Sequence, residues 1–585
     1  MMRFAQQWLL LVLLVAHVAA ADPAEHFPDD TRFFVSIANF KSFQEKLAAT
    51  SMGRLWDSPA MANFRTEFAD SEQDFSARLR RAYGFDDKQL KEYASGRLSI
   101  AGLESAADEL SMSFLIEMSA ESAQKMIDEA GRQIVSDGGR ASNASFPIAA
   151  KIYDMSDDEQ VLYAYTDHGL LISGDVAIAT RIVSGWADAA NWKSLQSVAA
   201  YQRMTAAPPR DGEADVRWYA DVIRLAVVMN KKEGTVSSAH PDRPPFPLRH
   251  GFAGIQGIGG FGWIGDGGFD FLNDIQIDAP PPREKALKSL DFVAGDLTPP
   301  AFVHDTTSNA MVNRWNLLSM LSNIGDVYDD VTDAPGAWEA TLGDWKNDLG
   351  FDLIGGLLPM LEPEIVTHSD YLEAERRERT LIAIPIENPK VQERRVASLI
   401  YRFLRNDNKA IRSRLPRQKF DLWEIALEDK QGNSTFTRAG IMVADGRLWI
   451  STHATMVQDV VLGSQGKPLA ESQEFAAMTQ RMEPWTTEQS FMRGFVRGDR
   501  DIRHTYEILR SDGLDGLKQA ESMYGNMLLM LLKSDEDRPR PDTDFSKLPP
   551  FSEVQKYFGM IGSVGNLTDS GWTIVIGAYD REQTD

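Results

Sequence analysis

The residues best suited to chemistry in this sequence are carboxylates, and their densest run is GDVYDDVTDAPG, which brings Asp326, Asp329, Asp330 and Asp333 close together. On a helix, Asp326, Asp330 and Asp333 would share one face, and hard oxygen ligands of that kind suit Ca²⁺. The ligand order of an EF-hand loop is absent, so the run from Asp326 to Asp333 reads first as a solvated acidic surface. SDEDRPRPDTD (Ser534 to Asp544) reads in the same way, as a hydrated loop before a metal site. Nine histidines are present, and none forms His-Glu-x-x-His or another close ligand pair. His168 and His453 stand in similar phrases, but the ungapped register sets His168 opposite Gly446 and Asp175 opposite His453. They therefore read as turn and cap residues, not as one shared base.

Other chemistries meet similar objections. GSVG and GSQG lack the Gly-x-Ser-x-Gly spacing that exposes a nucleophilic serine. The glycines from Gly251 to Gly268 lead into an alternating strand-like segment, and no Gly-Lys-Ser/Thr occurs, so they do not read as a nucleotide loop. Close packing of backbones, or of rings such as Trp263, explains them better. Met523, Met527 and Met530 recur at helical spacing and read as a stripe packed on a sheet, the best pointer to a lipid or peptide cleft. No catalytic, cofactor-binding or metal-ligating residue is assigned, and no cofactor is expected.

Composition sets the next bounds. The chain has 585 residues and no cysteine, which removes disulfides, thiolate metal sites and a cysteine nucleophile. Its formal charge of −24 argues against phosphate-backbone and anionic-lipid binding, so no nucleic-acid partner is expected. Arg3, the apolar WLLLVLLVA (Trp8 to Ala16), and Ala19 and Ala21 ahead of Asp22 form the layout of a secretory signal peptide over residues 1–21. The apolar run is shorter than the roughly 20 residues a spanning helix needs. The expectation is export to the periplasm or extracellular space, with no integral membrane segment after cleavage.

The elements that would position any site recur in order. TDHGLLISGDVAIATRIVSG (from Thr166) matches ADGRLWISTHATMVQDVVLG (from Ala444). In both, a turn on Asp and Gly leads to a strand, a cap and a helix, with Asp175 or Thr452 as cap and Gly185 or Gly463 as the helix end. SMSFLIEM and the helix after it answer RTLIAIPI and NPKVQERRVASLIYRFL, where Asn388 and Pro389 suit the N-cap and first helical positions. Phe40 and Phe43 answer Trp315 and Leu318, each pair able to begin a helix. Gly84-Phe85-Asp86 answers Gly350-Phe351-Asp352. Leu195, Tyr201 and Met204 answer Leu469, Phe475 and Met478. Each series closes on PPF and a Gly-rich hairpin, with GDGG and NLTDSG as turns.

The expected fold is α+β: two similar tandem lobes, each a mainly antiparallel β-sheet packed with helices. The lobes span residues 22–278 and 301–585, with a Pro-rich linker at 279–300. The DTRFFVSIANF opening, the DHGLLISGD phrase and the duplicated plan resemble large exported bacterial proteins with a domain of unknown function. That resemblance implies secretion and an α+β fold, and transfers no catalytic residue. The leading expectation is a non-enzymatic binding or scaffolding protein of the cell envelope or extracellular space, with an envelope protein or polymer as partner. The alternatives are a carboxylate-dependent hydrolase of an extracellular polymer and a carrier of an apolar ligand.

Overall fold

The computed structural model describes residues 22–580 except 107–108, 156–158, 207–213, 233–243, 373–376, 429–433, 464–465 and 521–543. The signal-peptide segment and the Met523, Met527 and Met530 stripe lie outside the described residues, as does nearly all of the acidic loop before Asp544. The fold is mixed α+β, with one large antiparallel sheet. In the first half of the chain the strands are β1 (Phe33–Ile37), β2 (Leu98–Glu104), β3 (Leu110–Ile116), β4 (Arg140–Ala141), β5 (Lys151–Asp154), β6 (Gln160–Thr166), β7 (Gly169–Ser173), β8 (Val216–Ala220), β9 (Gly257–Asp266) and β10 (Phe269–Asp278). In the second they are β11 (Asn309–Asn313), β12 (Ile365–Leu372), β13 (Arg377–Pro385), β14 (Ala410–Ser413), β15 (Leu422–Glu428), β16 (Ser434–Ala444), β17 (Arg447–Ser451), β18 (Ser490–Arg497), β19 (Met560–Thr568) and β20 (Gly571–Tyr579).

Hydrogen-bonded neighbours give the spatial order. From one end to the middle it runs β4, β5, β6, β7, β3, β2, β1, β8, β9, β10. From the other end it runs β14, β15, β16, β17, β13, β12, β11, β18, β19, β20. The two orders are identical once the chain position of each strand is counted within its own half. They meet at β10 and β20, paired from Phe271↔Ala578 to Asp278↔Gly571.

Residue types explain the hairpins. Asp445 and Gly446 form the β16–β17 turn with φ of 49° and 72°, values that Gly adopts freely and Asp tolerates. Asp167 and His168 turn the chain between β6 and β7, while Gly267-Gly268 and Asp569-Ser570 turn the two hairpins that end in β10 and β20.

Alternation along the strands then builds two layers. Phe34, Ala101, Leu115 and Leu171 pack against the helices Val176–Ala187 and Ala199–Thr205. Their sequence neighbours Val35, Ile100, Phe114 and Leu170 pack on the opposite face against the helix Ala120–Ser136. In the second half Ala383 and Trp449 meet the helices Ala454–Val461 and Gln473–Met482, while Val443 and Leu448 meet the helix Pro389–Leu404. Leu195, Tyr201, Met204, Leu469, Phe475 and Met478 are all buried. Truncating one such core leucine to alanine costs about 2–5 kcal/mol.

Some local expectations need correction. Thr452 does not cap the helix after it: its hydroxyl accepts from the Thr380 amide, and His453 stands at the N-cap without a side-chain hydrogen bond to the helix. Gly185 does not end its helix but lies within it, where the Trp192 ring occupies the space a Cβ would need. Gly463 follows the helix Ala454–Val461 at φ 83°, as expected of a helix end. Asn388 takes the N-cap position ahead of Pro389, but its side chain makes no cap bond.

Segment 279–300 is packed rather than extended into solvent. Ala279, Ala286 and Leu287 are buried, and Leu287 joins Phe491 and Trp572 in one apolar cluster. A further cluster brings Leu55 and Phe64 of the first half against Tyr506, Leu509 and Phe551 of the second.

Candidate functional site

The helix Pro389–Leu404 buries Val396, Ile400 and Leu404 against Trp423 and Val443 of the sheet, where β14 is the last strand. Its other residues and the β14–β15 hairpin bound an open cleft of about 280 Å³. Arg394, Ser398 and Tyr401 line it from the helix, Arg412 and Arg414 from β14 and its end, Lys419, Phe420 and Asp421 from the loop before β15, and Trp423 from β15.

Charge in the cleft is organised around one acid. Asp421 accepts from Arg412 Nε and, at 3.0 Å, from Arg414 Nη1. Burial opposes its ionisation, but the two arginines outweigh burial and hold the carboxyl below its usual range. Arg414 Nη1 also donates to the Lys419 carbonyl at 2.9 Å, and Lys419 Nζ lies 3.5 Å from Glu393. The Arg412 guanidinium sits 5.5 Å from the Tyr401 ring centre, and the Tyr401 and Trp423 rings are 6.0 Å apart.

Side chains of Arg412, Arg414 and Lys419 are 55, 59 and 80% exposed. Ion pairs so exposed add little stability. They do fix the guanidinium planes while leaving several of each arginine's five N–H donors facing solvent. The arrangement is suited to binding carboxylate or phosphate oxygens beside an aromatic surface.

The first half closes the corresponding layer. There Gly131 of the helix Ala120–Ser136 leaves room for the Tyr153 ring of β5, which sits where a Cβ would be. That helix carries Glu121, Asp128 and Glu129 beside Lys125 and Arg132, so it lacks the cationic surface.

A second polar group lies on the same face of the second-half sheet. The cross-strand row Phe33–Gly102–Met112 of β1, β2 and β3 is matched in strand order by Asn309–Ser369–Thr380 of β11, β12 and β13. Asn309 Nδ2 donates to Asp501 Oδ1, and Ser369 and Thr380 hydroxyls are 3.0 Å apart. Burial, reinforced by the Asp501 charge, pushes the nearby Glu378 carboxyl up to about 7. The arrangement puts a carboxyl that titrates near neutrality beside a buried acid.

The residues singled out in the sequence fall elsewhere. Asp329 accepts from the amides of Gly336 and Trp338, both at 2.7 Å, and Asp330 pairs with Arg249 and His250. The acidic run is thus neither wholly solvated nor gathered around one point. Among the described residues no group of three or more His, Asp or Glu side chains is placed to hold a metal ion. His168 packs on the rings of His26 and Trp186, with centroids 4.5 and 4.8 Å away, and His453 is buried with Nδ1 3.0 Å from the Thr452 hydroxyl. The glycine cluster runs through β9, and the serine of GSVG lies inside β19.

The cleft was missed in the sequence, yet it carries a signal. Between Pro389 and Phe420 stand ten Lys or Arg and only two acidic residues, in a chain whose total charge is −24. No protein-family model matches the chain, no curated protein is similar to it, and no solved structure matches it.

Proposed function

We propose that the protein is an exported, non-enzymatic binding or scaffolding protein of the cell envelope or extracellular space, and that it holds an anionic partner in the cleft around Arg412. The observation that carries this reading is the segregation of exposed cations over an aromatic floor on an otherwise acidic molecule. Opposite charge draws acidic partners to this surface, while the net charge of −24 repels them from the molecule as a whole.

The architecture belongs to the same proposal: two copies of one α+β lobe, fused head to tail. Shared strand order in the two halves supports it. Divergence then opened the cleft in one copy, while Tyr153 fills the other. Export is tested by sequencing the N-terminus of the secreted chain, which should begin at Asp22.

Binding is tested with polyglutamate and polyphosphate as probes, following Trp fluorescence at increasing salt. Binding should weaken steeply with salt and should be lost in an Arg394→Ala/Arg412→Ala/Arg414→Ala triple variant. Equal binding by the triple variant would remove the cleft from the proposal.

The Glu378–Asp501 pair favours a second reading, a carboxylate-dependent hydrolase in which Glu378 donates the proton. Activity on an extracellular polymer that disappears in Glu378→Gln with the fold intact would replace the first reading.

A further inference from the structure

The last strand of the second half has an unusual edge. Among the described residues β14 pairs with β15 and with no other strand. The Ala426 amide donates to the Lys409 carbonyl at 3.0 Å, which fixes the phase of the ladder. Because antiparallel bonding alternates, Ile411 and Ser413 direct their N–H and C=O groups toward β15, and Arg412 directs both of its own outward. The Ala410 amide is already used, donating to Asp407 O at 3.1 Å.

Sheets usually blunt such edges. The opposite end follows that rule, since β4 is only the two residues Arg140–Ala141. The β14 edge is guarded by charge rather than by brevity, and presents Ile411 at 48% exposure between exposed cations. Arg412 and Arg414 share Asp421 and therefore lean to one face, and Ile411 points to the other. Positive charge excludes basic strands and a second copy of this same edge. It admits an acidic one.

We infer that β14 is a strand-addition site, and that its occupant is an extended acidic segment of a partner protein with alternating acidic and apolar residues. The inference rests on the proposed binding role of the cleft and names its partner. With the segment antiparallel to β14, two acids spaced by one residue face Arg414 and Arg412, the apolar residue after the second packs on Ile411, and the backbone of that second acid pairs with Arg412. Main-chain hydrogen bonds supply affinity and alternate side chains supply choice, as in other strand-addition complexes. Polysaccharide hydroxyls could meet the outward N–H and C=O singly, but only an extended peptide meets both in ladder register while placing alternate side chains on the two faces, which is why a protein segment is favoured.

The test uses the mature full-length chain and a labelled peptide, acetyl-Val-Asp-Val-Glu-Val-amide, with its binding read by fluorescence anisotropy. Arg412→Ala and Arg412→Pro both remove the guanidinium, but only proline removes the outward N–H, and an edge strand tolerates it there. Arg412→Pro should bind about tenfold more weakly than Arg412→Ala, the scale of one hydrogen bond. N-methylation of the peptide's Glu amide, the one that meets the Arg412 carbonyl, should weaken binding to the unaltered chain, and hydrogen exchange at Arg412 should slow when the unmethylated peptide binds. Equal binding by the Ala and Pro variants, with unchanged exchange at Arg412, would overturn strand addition. If polyglutamate still bound in a manner dependent on Arg394 and Arg414, the cleft itself would stand. Tight binding of an acidic polysaccharide with none of the peptide would likewise overturn the inference and leave the binding role intact.

Discussion

Asp330, from the second half of the chain, places its Oδ2 2.9 Å from Nε2 of His250 in the first, while its Oδ1 pairs with Arg249. The contact ties a short helix before β9 to the acidic run, and all three side chains are largely shielded. Burial opposes ionisation of Asp330, yet the bonds from His250 and Arg249 prevail and lower its pKa.

Replacing Asp330 by Ala should therefore destabilise the protein by about 1–3 kcal/mol, the cost of stranding buried hydrogen-bond donors. Because the folded carboxyl is the stronger acid, its contribution is full above the ordinary aspartate range. It fades as pH falls through the lowered value. Urea unfolding at pH 7 and pH 3 checks both points: the variant should lose most against the parent at pH 7.

Asp274 behaves in the opposite sense. It sits in β10 at the seam with β20 and is 1% exposed, with one carboxyl oxygen held by Gln276 and the other unpartnered. Burial raises its pKa to about 6. Stability from this group is complete below the unfolded value and is lost as pH rises through 6. Asp274→Asn should match the parent near pH 4 and exceed it at pH 8 by up to about 3 kcal/mol. Equal stability at pH 8 would count against a strained carboxylate at the seam.

His368 tests the acid side. It is 5% exposed, its Nε2 has no hydrogen-bond partner, and burial lowers its pKa to about 4. The folded state resists protonation that the unfolded chain accepts near 6.5, so stability is lost as pH falls from 6.5 toward 4. His368→Leu should flatten that part of the stability profile, and a variant profile parallel to the parent's would refute the assignment.

Two helical glycines should respond to alanine with opposite signs. Gly343, in the helix Ala337–Asp348, has open space for 4 Å around the position a Cβ would take, so Gly343→Ala should stabilise by about 0.5–1 kcal/mol. Gly131→Ala meets the Tyr153 ring and should cost about 1–3 kcal/mol from overpacking. Thermal unfolding of both variants decides it, and a stabilised Gly131→Ala would mean that Tyr153 yields without strain.

Local signals carried far along the backbone. Asp445-Gly446 suits its turn by residue type, and Leu195, Tyr201 and Met204, repeated at the same spacing as Leu469, Phe475 and Met478, are all buried. Tertiary neighbours were not legible in the same way. Gly185 looks like a helix end until the Trp192 ring is placed over it, and Asp330 looks solvated until Arg249 and His250 arrive from about 80 positions away. The cleft was hidden for a different reason: its charge is outvoted in the chain total, and its lining comes from a helix, a strand and a loop that only the fold brings together.

The β10–β20 pairing also bears on assembly. Cut between the halves, each fragment would expose a long unsatisfied ladder able to zip onto a copy of itself, giving a two-chain particle or an aggregate. Covalent continuity keeps the correct mate permanently at hand. The intact polypeptide thereby closes off its most adhesive border internally.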